Sequence, residues 1–172
     1  MPASSGSTVP SSRSRSSAAE TRPGMTAPGR QGKVAAMAQP NADLIRGIPI
    51  FADLDEASVA QLATDFIERE FEEGQEIATE GEGGLNFFVV DSGTADVTVG
   101  GNTVGTLGPG ASFGEIALVD KSARSATVTA TSRLRAFALP VWSFRSFAES
   151  RPSVTWKLLE LLAERLRAAE HR

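Results

Sequence analysis

Apolar residues near the start of the folded part recur at a helical spacing. Over Asp55–Phe66 they occupy positions i, i+3, i+4 and i+7, and the aspartate at the start is a favourable N-cap residue. A shorter helix is predicted over Ala42–Gly47, because a glycine followed by Pro49 stops a helix. The pattern therefore predicts that two short helices precede the main body of the fold.

From Ile67 to Leu139 the pattern changes to short β-branched and aromatic runs separated by glycines. Residues 91–93 (Asp-Ser-Gly) and 100–102 (Gly-Gly-Asn) suit tight hairpins. The predicted strands are Ile67–Phe71, Glu76–Thr79, Asn86–Asp91, Thr94–Val99, Asn102–Leu107, Ser125–Ala130 and Leu134–Leu139. Because no long helix interrupts them, an all-β sandwich or barrel, of which the jelly roll is one form, is favoured over a doubly wound α/β sheet.

Helical spacing returns after the last predicted strand. Pro140 suits the first position of one helix, and a second helix is predicted to begin near Pro152. The second helix has a continuous apolar stripe of Val154, Leu158, Leu161, Leu162 and Leu166, which Trp156 and Leu159 widen. We expect this stripe to pack either on the chain's own β-roll or on the same helix of a second copy. Trp142 and Trp156 are interpreted either as core residues or as cover for a dimer surface, and the core is the favoured reading.

The composition excludes several kinds of chemistry. The 172 residues include no cysteine, which rules out disulfides, Cys-ligated zinc, iron–sulfur clusters and cysteine nucleophiles. The single histidine, His171, cannot supply the histidines of a cupin-type metal site or the metal ligands of a phosphodiesterase. No apolar run approaches the roughly 18 residues of a membrane-spanning helix. We therefore expect a cytoplasmic protein that is not an enzyme and has no membrane partner.

Residues 1–40 differ in composition from the rest of the chain. They contain eight serines, five prolines and four glycines, no aromatic residue and no periodic apolar pattern. Such a segment buries too little apolar surface to offset its ordering entropy, which predicts a disordered tail followed by a folded domain over residues 41–172. Two readings of the tail stay open: a linker or modification segment, or a start codon that lies later, at Met25 or Met37.

The folded part is acidic. Residues 41–172 have a net charge of −8, which is a poor match for the phosphate backbone of a nucleic acid. The chain also ends soon after Leu166, so we expect no DNA-binding module and no nucleic-acid partner. The clustered acidic residues Glu68, Glu70, Glu72 and Glu73 are interpreted as a solvated strand face.

The segment 113–128 has the residue types of a ribose-phosphate site. A single helical turn over Gly114–Val119 would present free backbone amides, which attract an anion. Arg124 has a planar guanidinium that suits two phosphate oxygens, and Glu115 could accept a hydrogen bond from a ribose hydroxyl. On spacing alone, Glu115 and Arg124 could equally form a structural ion pair without a ligand.

This segment resembles the phosphate-binding cassette of the cyclic-nucleotide-binding domain family. That module is found in catabolite activators, kinase regulatory subunits and cyclic-nucleotide-gated channels. The matching residues are Phe113, Gly114, Glu115, Ile116, Ala117, Leu118, Arg124, Ala126, Thr127 and Val128, and the chain departs from the pattern at Ala123, where many members have proline. Further similar motifs lie at residues 48–54, 73–77, 80–82, 88–93 and 107–110.

The resemblance, which covers residues 44–172, implies a fold that is mainly β with flanking helices. This is a double-stranded β-helix (jelly roll) with an N-terminal helix, a short phosphate-cassette helix and two C-terminal helices. It also implies roles for single residues. Glu115 would bind the ribose 2′-hydroxyl, Arg124 the exocyclic phosphate oxygens, and backbone groups of Gly114, Ile116, Ala117 and Ser125 would complete the cradle. Val104 and Thr106 would line the base side, and the base would be capped near Ala169 and Glu170.

The function that the resemblance implies is that of a regulatory sensor. The chain would bind a cyclic nucleotide, with cyclic AMP as the favoured assignment and cyclic GMP as the other, and its C-terminal helix would move when the ligand binds. The expected partners are the nucleotide, a downstream protein and a second copy paired through the C-terminal helix. The alternative is a related scaffold that has lost the ligand and mediates protein interaction alone.

Overall fold

The structure is a computed structural model that describes residues 38–120 and 123–170. The helices are α1 (Ala42–Arg46), a 3-10 helix (Pro49–Phe51), α2 (Glu56–Ala63), α3 (Ile116–Val119), α4 (Val141–Glu149) and α5 (Pro152–Glu170). The strands are β1 (Ile67–Phe71), β2 (Glu76–Ala78), β3 (Asn86–Ser92), β4 (Ala95–Val99), β5 (Asn102–Leu107), β6 (Ser112–Phe113), β7 (Thr127–Ala130) and β8 (Leu134–Pro140). The predicted tail falls almost entirely on residues 1–37, and these, like His171, lie outside the described residues.

Two antiparallel four-stranded sheets form the body of the fold. The first sheet has the strand order β1-β8-β3-β6, and the second has the order β2-β7-β4-β5. In the first, Phe88 of β3 lies between Ala138 of β8 and Phe113 of β6. In the second, Val97 of β4 pairs with Val128 of β7. The predicted jelly roll with flanking helices is confirmed.

Strand β3 is buried on both of its faces, which explains its unbroken apolar sequence. Phe87 and Val89 belong to the core that the first sheet forms with the helices. Phe88 and Val90 belong to a second core, which lies between the two sheets. The helices therefore pack on the outside of the first sheet, and the second sheet faces the inner core.

Side-chain caps fix the starts of the first helices. Asn41 accepts a hydrogen bond from the Leu44 amide (2.7 Å) at the start of α1. Asp55 accepts one from the Ser58 amide (2.8 Å) at the start of α2, and this bond lowers the pKa of Asp55. The predicted helix over Asp55–Phe66 ends earlier than expected, because α2 stops at Ala63.

Several sequence interpretations are wrong in detail. Trp142 and Trp156 are 61% and 67% exposed, so neither is a core residue. Pro140 ends β8 as the N-cap of α4 instead of opening the helix. Glu68 is buried, 3.8 Å from Arg135, whereas Glu72 and Glu73 are exposed as expected. The short strand β6 (Ser112–Phe113) was not predicted, because two residues give no periodic signal.

Candidate ligand-binding site

A cavity of about 230 Å³ opens beside the second sheet. All four strands of that sheet line it, through Ala78, Val97, Leu107 and Val128. The remaining lining residues come from β6, the α3 turn, the segment before β7 and one position of α5: Ser112, Phe113, Gly114, Glu115, Ile116, Ala117, Ala123, Arg124, Ser125, Ala126 and Arg165. The walls are therefore largely apolar, and one carboxylate and two guanidinium groups supply the charge.

Arg124 is held on the cavity wall by its main chain and its side chain. Its amide donates to the Glu82 carbonyl (2.7 Å), and its carbonyl accepts from the Gly81 amide (2.9 Å). Its Nη2 donates to the Asn86 carbonyl (2.7 Å). Burial lowers the pKa of Arg124, and the nearby Glu115 carboxylate partly opposes that shift. A guanidinium carries five N–H donors, so the bond from Nη2 to this carbonyl leaves other N–H groups that can donate to an anion.

Glu115 is buried, with 3% of its surface exposed. Its Oε1 forms an ion pair with Nη1 of Arg165, which is half-exposed on α5. Within the described part of the chain, no ion pair joins Glu115 to Arg124; the structural ion pair considered from the sequence is therefore not formed. The two charges of the predicted site have separate partners instead.

The α3 turn places Glu115 inside the cavity. Gly114 has a φ of +84°, a conformation that favours glycine. The Ala117 amide donates to the Gly114 carbonyl (3.1 Å), and Leu118, which is 2% exposed, anchors the turn in the core. The Ala117 amide is thus hydrogen-bonded within the turn.

The structure brings most of the predicted site residues together. Those that line the cavity are Gly114, Glu115, Ile116, Ala117, Arg124 and Ser125. Val104 and Thr106, which the resemblance places on the base side, are not among the lining residues. Val104 is 56% exposed, and Thr106 donates to Asp96 (2.8 Å) on the neighbouring strand. They belong to β5, an edge strand, of which only Leu107 reaches the cavity.

Arg165 is the residue that sequence reasoning missed. It follows Leu158 by seven residues and Leu161 by four, so it lies on the face of α5 that packs against the helical core. That spacing is the sequence signal that could have placed Arg165 on the inward face of α5. The predicted cap at Ala169 and Glu170 lies further along α5, where Glu170 is exposed and the Ala169 side chain is outside the description.

Residues 38–120 and 123–170 lack two further kinds of feature. No group of three or more histidine, aspartate or glutamate side chains there is placed to hold a metal ion. Over the same residues, no helix is both long and apolar enough to cross a membrane.

Comparison with known proteins identifies the family. A family model described as the cyclic nucleotide-binding domain matches residues 68–151. The chain is 30% identical to the N-terminal domain of a transcriptional regulator from Streptomyces coelicolor A3(2), with a TM-score of 0.64, and the match covers 75% of this chain and 94% of that one. The chain belongs to the cyclic nucleotide-binding domain family. The predicted family membership is confirmed.

Other members of the cyclic nucleotide-binding family are similar over a smaller share of their length. The Thermus thermophilus catabolite activator protein is 32% identical with a TM-score of 0.65, covering 71% of this chain and 60% of that one. The cAMP-dependent protein kinase regulatory subunit of Yarrowia lipolytica is 35% identical over 96 residues, 56% of this chain and 26% of the relative. This chain spans 13–26% of the length of the first curated relatives that it matches.

The range of the family match separates two parts of the site. Residues 68–151 include the four strands that wall the cavity, the α3 turn and Arg124. Arg165 lies outside that range, so the ion pair on Glu115 joins the family's core region to the C-terminal helix of this chain.

Proposed function

We propose that the chain binds a cyclic nucleotide, cyclic AMP in preference to cyclic GMP, as a regulatory sensor and catalyses no reaction. The observation that supports this most strongly is that one cavity is lined by both a buried carboxylate and a partly buried guanidinium. Arg124 faces it with a fixed guanidinium, and Glu115 faces it with a carboxylate that is 3% exposed. The guanidinium can donate hydrogen bonds to a phosphate, and the carboxylate can accept a hydrogen bond from a ribose hydroxyl.

The proposed ligand would fill the cavity with its three chemical parts. Arg124 would bind the exocyclic phosphate oxygens, with backbone groups of the α3 turn and Ser125 beside it. Glu115 would accept from the ribose 2′-hydroxyl. The apolar side chains of Val97, Leu107 and Val128, in place of Val104 and Thr106, would contact the base. The preference for cyclic AMP has its support in the Yarrowia lipolytica relative, whose name gives cAMP dependence.

The C-terminal helix would report the ligand to a partner. Arg165 of α5 is paired with Glu115. A ribose hydroxyl that donates to this carboxylate would compete with Arg165 and so weaken the ion pair that holds α5. Such a ligand shifts α5 only if it binds its two positions with different affinities. The partners would be a downstream protein and a second copy of the chain, with no nucleic acid and no membrane, in the cytoplasm.

A ligand-free scaffold is the second candidate, and one contact favours it. The Arg165–Glu115 ion pair satisfies the buried carboxylate without any nucleotide. In that case the same interior would serve only to hold α5 against the sheets.

Calorimetric titration with cyclic AMP and with cyclic GMP separates the two candidates. The sensor should bind both, and cyclic AMP more tightly. Arg124→Ala should weaken binding about 10- to 150-fold, because a charge-assisted hydrogen bond contributes about 1.5–3 kcal/mol. Arg124→Lys should also weaken it, since an ammonium has no planar fork. Arg133→Ala is the matched control, because Arg133 is exposed and pairs with Glu70. No heat with either nucleotide would refute the sensor.

The domain boundary is part of the same proposal. Residues 41–172 would bind the nucleotide alone, and residues 1–40 would form a tail that takes no part in binding. A protein without residues 1–40 should keep the affinity and melting temperature of the full chain. A large loss of either would show that the tail contributes to the domain.

A further inference from the structure

Gly84 is buried against the guanidinium of Arg124. A Cβ built on Gly84 would overlap Nε and Cζ of Arg124 and lie 2.6 Å from Nη2. A Cβ on Gly114 would overlap Nη1 and lie 3.0 Å from the Asn86 carbonyl that accepts from this arginine. The guanidinium therefore lies in a slot between glycine backbones, and any side chain at Gly84 would enter it.

The main chain on both sides of this slot is fixed. Gly83 is bridged to Ala123, and the backbone hydrogen bonds of Arg124 to Glu82 and Gly81 continue that pairing. The Arg124 backbone cannot easily withdraw, so a side chain at Gly84 would be accommodated by moving the guanidinium.

We propose that Gly84 is a positioning residue of the site, which sets the orientation of the Arg124 guanidinium toward the phosphate. This inference rests on the proposed nucleotide binding. The missing side chain lets the guanidinium lie close enough to the Asn86 carbonyl for their 2.7 Å hydrogen bond. With Nη2 held there, the orientation of the other N–H groups follows from the planarity of the group.

Gly84 allows a clean substitution, which Gly114 does not. Gly114 has a φ of +84°, so a side chain there would strain the backbone as well as the slot. Gly84 is not among the glycines with positive φ, so alanine has no backbone penalty of that kind. The atoms that alanine would displace are at the end of a flexible side chain. The substitution should therefore alter binding more than folding.

The test compares Gly84→Ala with Gly83→Ala, its neighbour. Gly83 is exposed, has no positive φ and would place its Cβ within 4 Å of nothing. With cyclic AMP as the probe, Gly84→Ala should bind at least about tenfold more weakly than the parent, the loss expected when one charge-assisted contact is misaligned. Gly83→Ala should stay within about twofold of the parent.

Analogues of cyclic AMP show whether the affinity lost in Gly84→Ala comes from the contact between Arg124 and the phosphate. Discrimination between the two phosphorothioate diastereomers of cyclic AMP should change in Gly84→Ala, because it reports the guanidinium at the exocyclic oxygens. Discrimination against 2′-deoxy cyclic AMP should not change, because Glu115 is untouched. A general loosening of the fold would not separate these two ratios.

A double variant covers the case in which Gly84→Ala folds poorly. In Arg124→Ala the overlapping atoms are gone, so adding Gly84→Ala should cost neither melting temperature nor further affinity. If Gly84→Ala binds like the parent, or loses no more than Gly83→Ala, the inference is wrong. It is also wrong if adding Gly84→Ala to Arg124→Ala weakens binding as much as Gly84→Ala weakens binding in the parent. If the parent binds no nucleotide, the proposed function fails instead.

Discussion

At the scale of single residues, Arg124 and Glu115 each have a partner of their own at the cavity. Arg124 donates to the Asn86 carbonyl, and Glu115 is paired with Arg165. Because an unpaired charge in an apolar interior is costly, these contacts hold both groups at the cavity before any ligand arrives. A nucleotide would therefore meet a carboxylate and a guanidinium that are already in place, with little side-chain entropy left to lose.

Glu115→Gln tests the ribose contact. The amide keeps the shape and one acceptor but loses the charge, so it should bind the 2′-hydroxyl less strongly. We expect the variant to discriminate less than the parent between cyclic AMP and its 2′-deoxy analogue in competition titrations. Equal discrimination in both proteins would remove the ribose contact. Glu72→Gln, at an exposed position outside the cavity lining, is the control.

The sequence predicted the part of the site that is contiguous in the chain. Gly114 to Ala117 and Arg124 lie in one short segment, where a glycine-led turn, a carboxylate and a guanidinium together indicate a ribose-phosphate site. Val104 and Thr106 were placed on the base side by the resemblance, and they lie on the edge strand β5, of which Leu107 lines the cavity. Arg165 was missed because its role depends on how α5 folds back, which is a tertiary contact between positions 50 residues apart.

At the scale of the element, α5 combines two surfaces and one ion pair. Val154 and Leu158 are buried, and Leu161 and Leu162 pack against the same core. Arg165 extends that face to the cavity. Trp156, Leu159 and Leu166 are exposed instead, so the apolar stripe predicted as one surface is two surfaces on the folded helix.

Arg165→Ala tests whether the ion pair holds α5. Removing it leaves the buried Glu115 carboxylate without its partner, and since Arg165 is half-exposed we expect a loss of roughly 1–3 kcal/mol in unfolding free energy. Denaturant unfolding of the ligand-free protein measures it. Arg165→Ala combined with Glu115→Gln should recover part of the loss. If the single variant is as stable as the parent, the pair does not hold the helix.

At the scale of the whole molecule, the fold class followed from the sequence more securely than the packing of its outer helices. The strand pattern gave all but one of the eight strands to within two residues at each end. For both tryptophans the sequence favoured a core position over a dimer surface, because large apolar residues at helical spacing are usually buried. Whether a second molecule covers such a face depends on the assembly. The spacing of apolar residues along one chain does not show this.

The exposed face of α5 leads to a prediction about assembly. Trp156, Leu159, Ala163 and Leu166 lie at i, i+3, i+7 and i+10, the spacing of a two-helix seam. We expect a dimer in sedimentation equilibrium and a shift to monomer in Leu159→Glu, because a charge in the seam would be desolvated. Glu160→Gln is the control on a neighbouring position. A parent protein that is monomeric at all concentrations would contradict the pairing.

Strands β3 and β8 separate two interiors, one filled by helices and one enclosed by the sheets. Phe87 and Phe88 are adjacent in the chain and yet belong to different interiors. The two interiors therefore have separate sets of packed side chains. The proposed movement of α5 would repack only the helical interior, and the side chains between the two sheets would keep their neighbours.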